Sequence, residues 1–289
     1  MLACFVVMVT YRLTGFRSLH RFLKAHPSLA QACGLPEGKV PSDGTFGRRF
    51  KRLDGVLLEA TAQLLRWLTS RRLLRWGLTV IDATVVRAKG RHPKGTRPDR
   101  RTTDREARWG RSTTRGWVWG YKLHAVVAVL PVILPVAWTV TPAHRNDVTQ
   151  LLPAVSQARR HRRRVRQRIR DTAGDTAYDS QTRYRRLASW KIRLTTPINR
   201  RSGGTPSPLT RKRRRYLRTP RGRWLLKRRA DVERFFSQPK GIFLLDPLPL
   251  VGRTNVRTSI GLVLVTYLLG VAYNGAAHRP PRALKSLVA

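Results

Sequence analysis

The sequence predicts an α/β fold: a mixed sheet of three contiguous antiparallel strands, then helix, strand, helix, strand, flanked by helices and preceded by a small helical N-terminal domain. Three observations predict it. Three apolar, β-branched runs, GLTVIDATVV (77–86), YKLHAVVAVL (121–130) and ILPVAWTVTPA (133–143), occur before any helical spacing returns. Helical periodicity then appears in NDVTQLLPAVSQARRHRRRV and SQTRYRRLASWK, each followed by a short strand-like segment, first around DTAGD and then IRLTTPIN. Residues 1–75, finally, carry apolar and basic positions at three-to-four spacing.

The opening MLACFVVMV is too short to span a bilayer and has neither a basic flank before it nor a cleavage site after it, so it reads as a core helix. The helix pattern resumes after Pro-Ser-Asp at 41–43, a capping signal. The segment 41–53, with Arg48 and Arg49 on its exposed side, reads either as a helix-turn-helix-like reader of DNA or as an amphipathic helix with a solvated basic face. Residues 76–275 form the second domain, interrupted by two basic loops. The loop at 90–116 lacks apolar periodicity and carries Arg115 among many arginines, with Trp109, Trp117 and Trp119 near or just past its end. That composition suits backbone contact and base stacking on DNA, or a solvated insertion. The loop at 200–223 has linker composition around an RKRRR block suited to phosphate contact. From Trp224 the chain reads as a helix through WLLKRRADVERFF, a break at SQPKGIF, an apolar core helix TSIGLVLVTYLLGVAYN, and a basic tail at 276–289.

With 59 Lys and Arg against 15 Asp and Glu, the formal charge is +44, and such a chain repels itself unless a polyanion neutralises it. Nucleic acid is the natural partner; the basic residues run the whole length and do not cluster beside a hydrophobic anchor, so no membrane is expected. Composition alone leaves a ribosomal or chromatin-type packing protein equally open. Cys4 and Cys33 have neither a metal-ligand spacing nor a disulfide framework, which points to a reducing, intracellular compartment.

Scarce acids are informative in such a chain. Asp82 interrupts the first apolar run, Asp175 ends the fourth strand in GDTAYDS, and Glu233 lies in RRADVERFF. Each has a bland explanation: a core acid paired with an arginine, a turn residue, a surface partner for Arg229. Together, on this order of elements, they make a negative pocket in a positive protein, suited to oxygen-binding divalent cations such as Mg²⁺ or Mn²⁺.

These residues resemble the DDE transposases of bacterial insertion sequences, which are RNase H-like, over about 76–274. IDATVVRA is similar to the family's first-strand motif, DTAYDS resembles its D-x-G-Y-D-S signature with Ala177 for the usual Gly, and RRADVERFFSQPKG resembles the branch with a Tyr-Arg-Glu-Lys signature. The resemblance implies that Asp82, Asp175 and Glu233 are catalytic and hold two Mg²⁺ ions, or Mn²⁺ in their place. It also implies that Arg229 and Lys240 hold DNA. The partners it implies are double-stranded DNA, at element ends and target, and a second copy of the chain; the place is the bacterial cytoplasm, at the nucleoid. The implied reaction is cleavage at the ends followed by 3′-hydroxyl strand transfer. On one unbroken helix, Arg229, Glu233 and Lys240 fall within about 60° of one another. Two departures stand out: Leu226 occupies the Tyr position, and Pro239 is expected to kink or end the helix before Lys240. His124 and His144 read as structural.

Overall fold

The structure, a computed structural model, describes residues 1–112, 115–199, 207–243, 245–246 and 248–288. Five helices come first: α1 (Leu2–Thr10), α2 (Phe16–Ala25), α3 (Pro27–Ala32), α4 (Asp43–Phe50) and α5 (Leu53–Ser70). As its composition predicts, α1 is a core helix, burying Cys4, Phe5, Val7, Met8 and Val9. Phe5 meets Phe16, Phe46 and Phe50 edge-on at ring distances of 5.4–6.2 Å, which ties α1 to α2 and α4. The Ser42 side chain caps α4 by accepting the Thr45 N–H.

The sheet follows: β1 (Leu74–Arg87), β2 (Arg108–Ser112), β3 (Gly116–Pro131), β4 (Leu134–Pro142), and then β5 (Asp171–Ala173) and β6 (Arg193–Thr195). Strand β3 runs antiparallel between β1 on one side and, on the other, β2 along 116–120 and β4 along 121–128. Strand β5 joins the far edge of β1 in parallel, and β6 joins β5. Three antiparallel strands extended by two parallel ones, with helices packed around them, is the RNase H-like arrangement the sequence predicts. Where β3 lies against the end of β1 there is no room for a side chain: a Cβ on Gly120 would lie 2.0 Å from the Val86 carbonyl oxygen.

The remaining helices are α6 (Leu151–His161), α7 (Gln181–Ser189), α8 (Pro208–Leu217), α9 (Pro220–Arg228), α10 (Asp231–Ile242) and α11 (Arg253–Ala276). Helix α6 covers β3 and β4, while α11 packs on β4, α1 and α5. By length and composition α11 could cross a membrane, but most of it is buried inside the protein, in keeping with a core helix. One continuous cluster of buried side chains runs from Cys4 through the sheet to Leu284, so α1 and α5 share the core of the sheet and the tail is packed onto it.

Four local expectations are corrected. The loop 90–116 contains β2, a strand too short and polar to show in the sequence. Its Trp109 and Trp119 donate their indole N–H groups to the carbonyls of Gly95 and Asp104, which leaves Trp117, 69% exposed, as the aromatic open to a partner. The loop 200–223 contains α8 and the start of α9, each opened by a proline with Ser207 and Thr219 as side-chain caps; residues 200–206 lie outside the described residues. The helix read from Trp224 is two helices, since the chain tightens at 229–230, where Arg229 and Ala230 N–H groups bond to carbonyls three residues back. Pro239, in contrast, does not end α10, which continues to Ile242 with the proline ring buried in the core.

Candidate active site

Asp82 sits two residues beyond Val80 on β1. The parallel register pairs Val80 with Ala173, so the chain leaving β5 brings Asp175, two residues beyond Ala173, alongside it. Each carboxylate is partly bound to backbone: Asp82 Oδ1 accepts its neighbour's N–H from Ala83 at 2.7 Å, and Asp175 Oδ1 accepts the Ala177 N–H at 3.0 Å, capping the turn 176–178. Burial pushes the Asp82 carboxyl up to about 7, the Ala83 N–H opposes the rise, and the charges of Asp175 and Asp147 add to it. Asp175 is raised too, by burial first and then by Asp147. Arg229 favours the charged form of both acids, so the structure brings Asp82, Asp175 and Arg229 to one site.

Ion pairing sharpens the picture. Asp147, Asp171, Asp179, Asp231 and Asp246 each pair with Lys or Arg within 4.0 Å, as cations outnumbering acids would lead one to expect. Among the described residues, Asp82, Asp175 and Glu233 make no ion pair at all.

Glu233 does not join the other two. It is exposed in the first turn of α10 and is not paired with Arg229, which caps α9 beyond the tightened turn. Lys240 is half-buried on α10 with Nζ donating to Thr84 Oγ1 at 2.6 Å and to the Val85 carbonyl at 3.2 Å; burial lowers its pKa. It therefore ties α10 to β1 two residues beyond Asp82. Leu226 is half-buried near the end of α9. Arg48 and Arg49 are exposed in the last turn of α4, as the basic-face reading expects. Arg115 is not free: it pairs with Asp246, whose side chain is 1% exposed and also takes Arg87 at 3.4 Å.

Sequence alone does not single out Asp147, because Asn146, a good helix-capping residue, accounts for the start of the same helical stretch. Asn146 does cap the turn 147–150, but Asp147 accepts from Lys122 Nζ at 2.8 Å and faces His124 Nδ1 at 3.7 Å. An acid directly after the cap, in a chain this poor in acids, was the available signal.

Two neighbouring carboxylates, both raised in pKa chiefly by burial, with oxygen donors only, fit a hard divalent cation. Among the described residues no group of three or more His, Cys, Asp or Glu side chains stands close enough to hold one.

A comparison with curated proteins gives no match. Among solved structures the chain is similar to a Mos1 transposase paired-end complex with left transposon end (12% identity over 88% of this chain and 77% of that one, TM-score 0.27). It is similar at the same level to a pre-cleavage Mos1 transpososome (11% identity, 91% and 78% covered, TM-score 0.27). The family model described as "Transposase DDE domain" matches residues 77–269, a span that opens at β1, closes inside α11 and contains Asp82, Asp175, Arg229, Glu233 and Lys240. By that match over about two thirds of its length, the chain belongs to the family of DDE-domain transposases.

Proposed function

We propose that this protein is an insertion-sequence transposase that cuts DNA at the ends of its element and joins the freed 3′-hydroxyl to target DNA. The observation that carries the reading is that strand register sets Asp82 and Asp175, two of the acids the family motif selects, side by side and half-buried, with no ion pair among the described residues in a chain of 59 cations. Asp82 and Asp175, with Glu233 brought in from α10, would hold two Mg²⁺ ions, or Mn²⁺ in their place. Bound there, the metal would supply Lewis-acid activation of the attacking hydroxyl and neutralise charge on the leaving oxygen. Asp82 gives up its proton to take that role, which its raised pKa permits near neutrality. Arg229, whose charge favours the ionised form of both acids, would hold the phosphate beside the scissile bond, and Lys240 ties α10, the helix that carries Glu233, to β1. Arg48, Arg49 and Trp117 are exposed for contact with the duplex, whereas Arg115 reaches DNA only in competition with Asp246. Pairing two element ends calls for two copies of the chain, working at the bacterial nucleoid.

The test is cleavage and joining of labelled DNA bearing the element's flanks, with Mg²⁺ or Mn²⁺, by the wild-type protein and Asp82→Ala. Metal-dependent 3′-end cutting and joining that disappears in the variant is the expected result. DNA binding with no cutting by either protein would favour a second reading, a copy that retains the fold and only binds DNA, for which Leu226 at the motif's Tyr position speaks.

A further inference from the structure

Behind the two aspartates lies a polar layer that the fold alone does not explain. His124 is fully buried on β3, opposite Ala83, the residue after Asp82; its Nε2 contacts Thr141 Oγ1 at 2.9 Å, while its Nδ1 has no hydrogen-bond partner and points at Asp147, 3.7 Å away. Across the next strand pairing stands Thr139, whose buried hydroxyl is also without a partner. Tyr178 is fully buried on the turn that Asp175 caps; its ring fills the space above Gly174 next to Ile81, which shares a face of β1 with Ala83. Its hydroxyl has no partner either. The turn 147–150 packs on the turn 176–178, so Asp147 belongs to the same layer.

Three buried polar atoms left unpaired behind one pair of carboxylates cost stability, each by the desolvation of an unmet donor or acceptor, and such groups are retained where ordered water or a ligand's charge completes them. We propose that Asp147, His124 and Tyr178 are positioning residues that support Asp82 and Asp175 from behind, completed by buried water, and set the site's affinity for a divalent cation. The inference rests on the function proposed above. Lys122 fixes Asp147 through its 2.8 Å ion pair, His124 lies between Asp147 and β1, and Tyr178 anchors the turn from which Asp175 projects.

The experiment is Mn²⁺ binding by the full chain, followed through the electron paramagnetic resonance signal of the free ion, for wild type, Asp82→Asn, Asp147→Asn, Asp147→Glu and Tyr178→Phe, with thermal unfolding of each. Loss of a supporting partner behind metal ligands typically weakens metal binding about 10–100-fold. The expected result is such a loss for Asp147→Asn and Tyr178→Phe, partial recovery for Asp147→Glu, and no loss of thermal stability for Tyr178→Phe, since it removes a hydroxyl that has no protein partner. That last combination is one a purely structural tyrosine would not give. Wild-type binding by Asp147→Asn and Tyr178→Phe, with binding lost in Asp82→Asn, overturns the supporting layer and leaves the proposed function intact. Unchanged binding by Asp82→Asn overturns both.

Discussion

Replacing Asp82 by Asn is expected to make the metal-free protein more stable, by an amount that depends on pH. Burial and two neighbouring aspartates lift the folded-state pKa from an ordinary 3.8 to about 7. A group whose folded pKa is raised contributes stability that is complete below its unfolded pKa and lost as pH rises through the folded value. At pH 4 the two proteins should therefore unfold together; between pH 4 and 7 the wild type falls behind, and above pH 7 the gap levels off. A lift of about three units at 1.36 kcal/mol each sets a ceiling of about 4 kcal/mol, and the partial solvent access of Asp82 brings the expectation to roughly 2–4 kcal/mol. For a chain of this size that is a gap of roughly 4–10 °C in Tm. The assay is thermal unfolding by circular dichroism from pH 4.5 to 9 in EDTA, repeated with Mn²⁺. Added cation should raise the wild type towards the variant by binding only the folded state with Asp82 present. A gap equal at pH 5 and pH 8.5, or a wild type more stable than the variant at pH 8.5 in EDTA, would show that Asp82 is not the strained carboxylate inferred from its surroundings.

Three other outcomes are expected. Glu233→Gln should shift stability by no more than about 0.5 kcal/mol, because the side chain is exposed and unpaired, yet abolish cleavage; retained cleavage would remove Glu233 from the site. Gly120→Ala places a Cβ against the Val86 carbonyl and should cost about 3 kcal/mol or more in denaturant unfolding, with soluble, wild-type-like protein as the contrary result. In DNA-binding titrations against salt, Arg48→Ala with Arg49→Ala should lower the slope of log K by about 2, while Arg115→Ala lowers it by less than 1, since Arg115 must first leave Asp246.

Much of the fold is legible because the strands that matter are long and apolar: β1, β3 and β4 show as three runs, and Asp82 stands out within the first as the one charge. Strand β2 does not show, because RWGRS has neither length nor alternation and is held by pairing with β3. Helices α8 and α9 hide in what looks like a linker, although Pro208 and Pro220 at their first turns, after Ser207 and Thr219, were start signals. The break between α9 and α10 leaves no trace in sequence, since residues 229–230 remain right-handed helical in backbone angle and only their hydrogen bonds tighten. For the site, Asp82 and Asp175 come together through strand register, a property sequence order can anticipate. The pairing of Arg115 with Asp246 and of Lys240 with Thr84 depends on tertiary approach across the chain, which spacing cannot reveal.

The meeting of Asp82 with Asp175 depends on very little chain. Three residue pairs, Leu78 to Asp171, Thr79 to Thr172 and Val80 to Ala173, fix it, with the Thr79 and Thr172 hydroxyls in contact at 2.9 Å between the two strands. Everything between the two acids, about a third of the chain, leaves and returns to that short splice. Loops there can lengthen, acquire a strand such as β2 or exchange their basic residues without altering the distance between the carboxylates. The basic loops are thereby free to change, while a slip of one residue in the splice would turn Asp175 to the opposite face and dissolve the carboxylate pair on which the proposed chemistry depends.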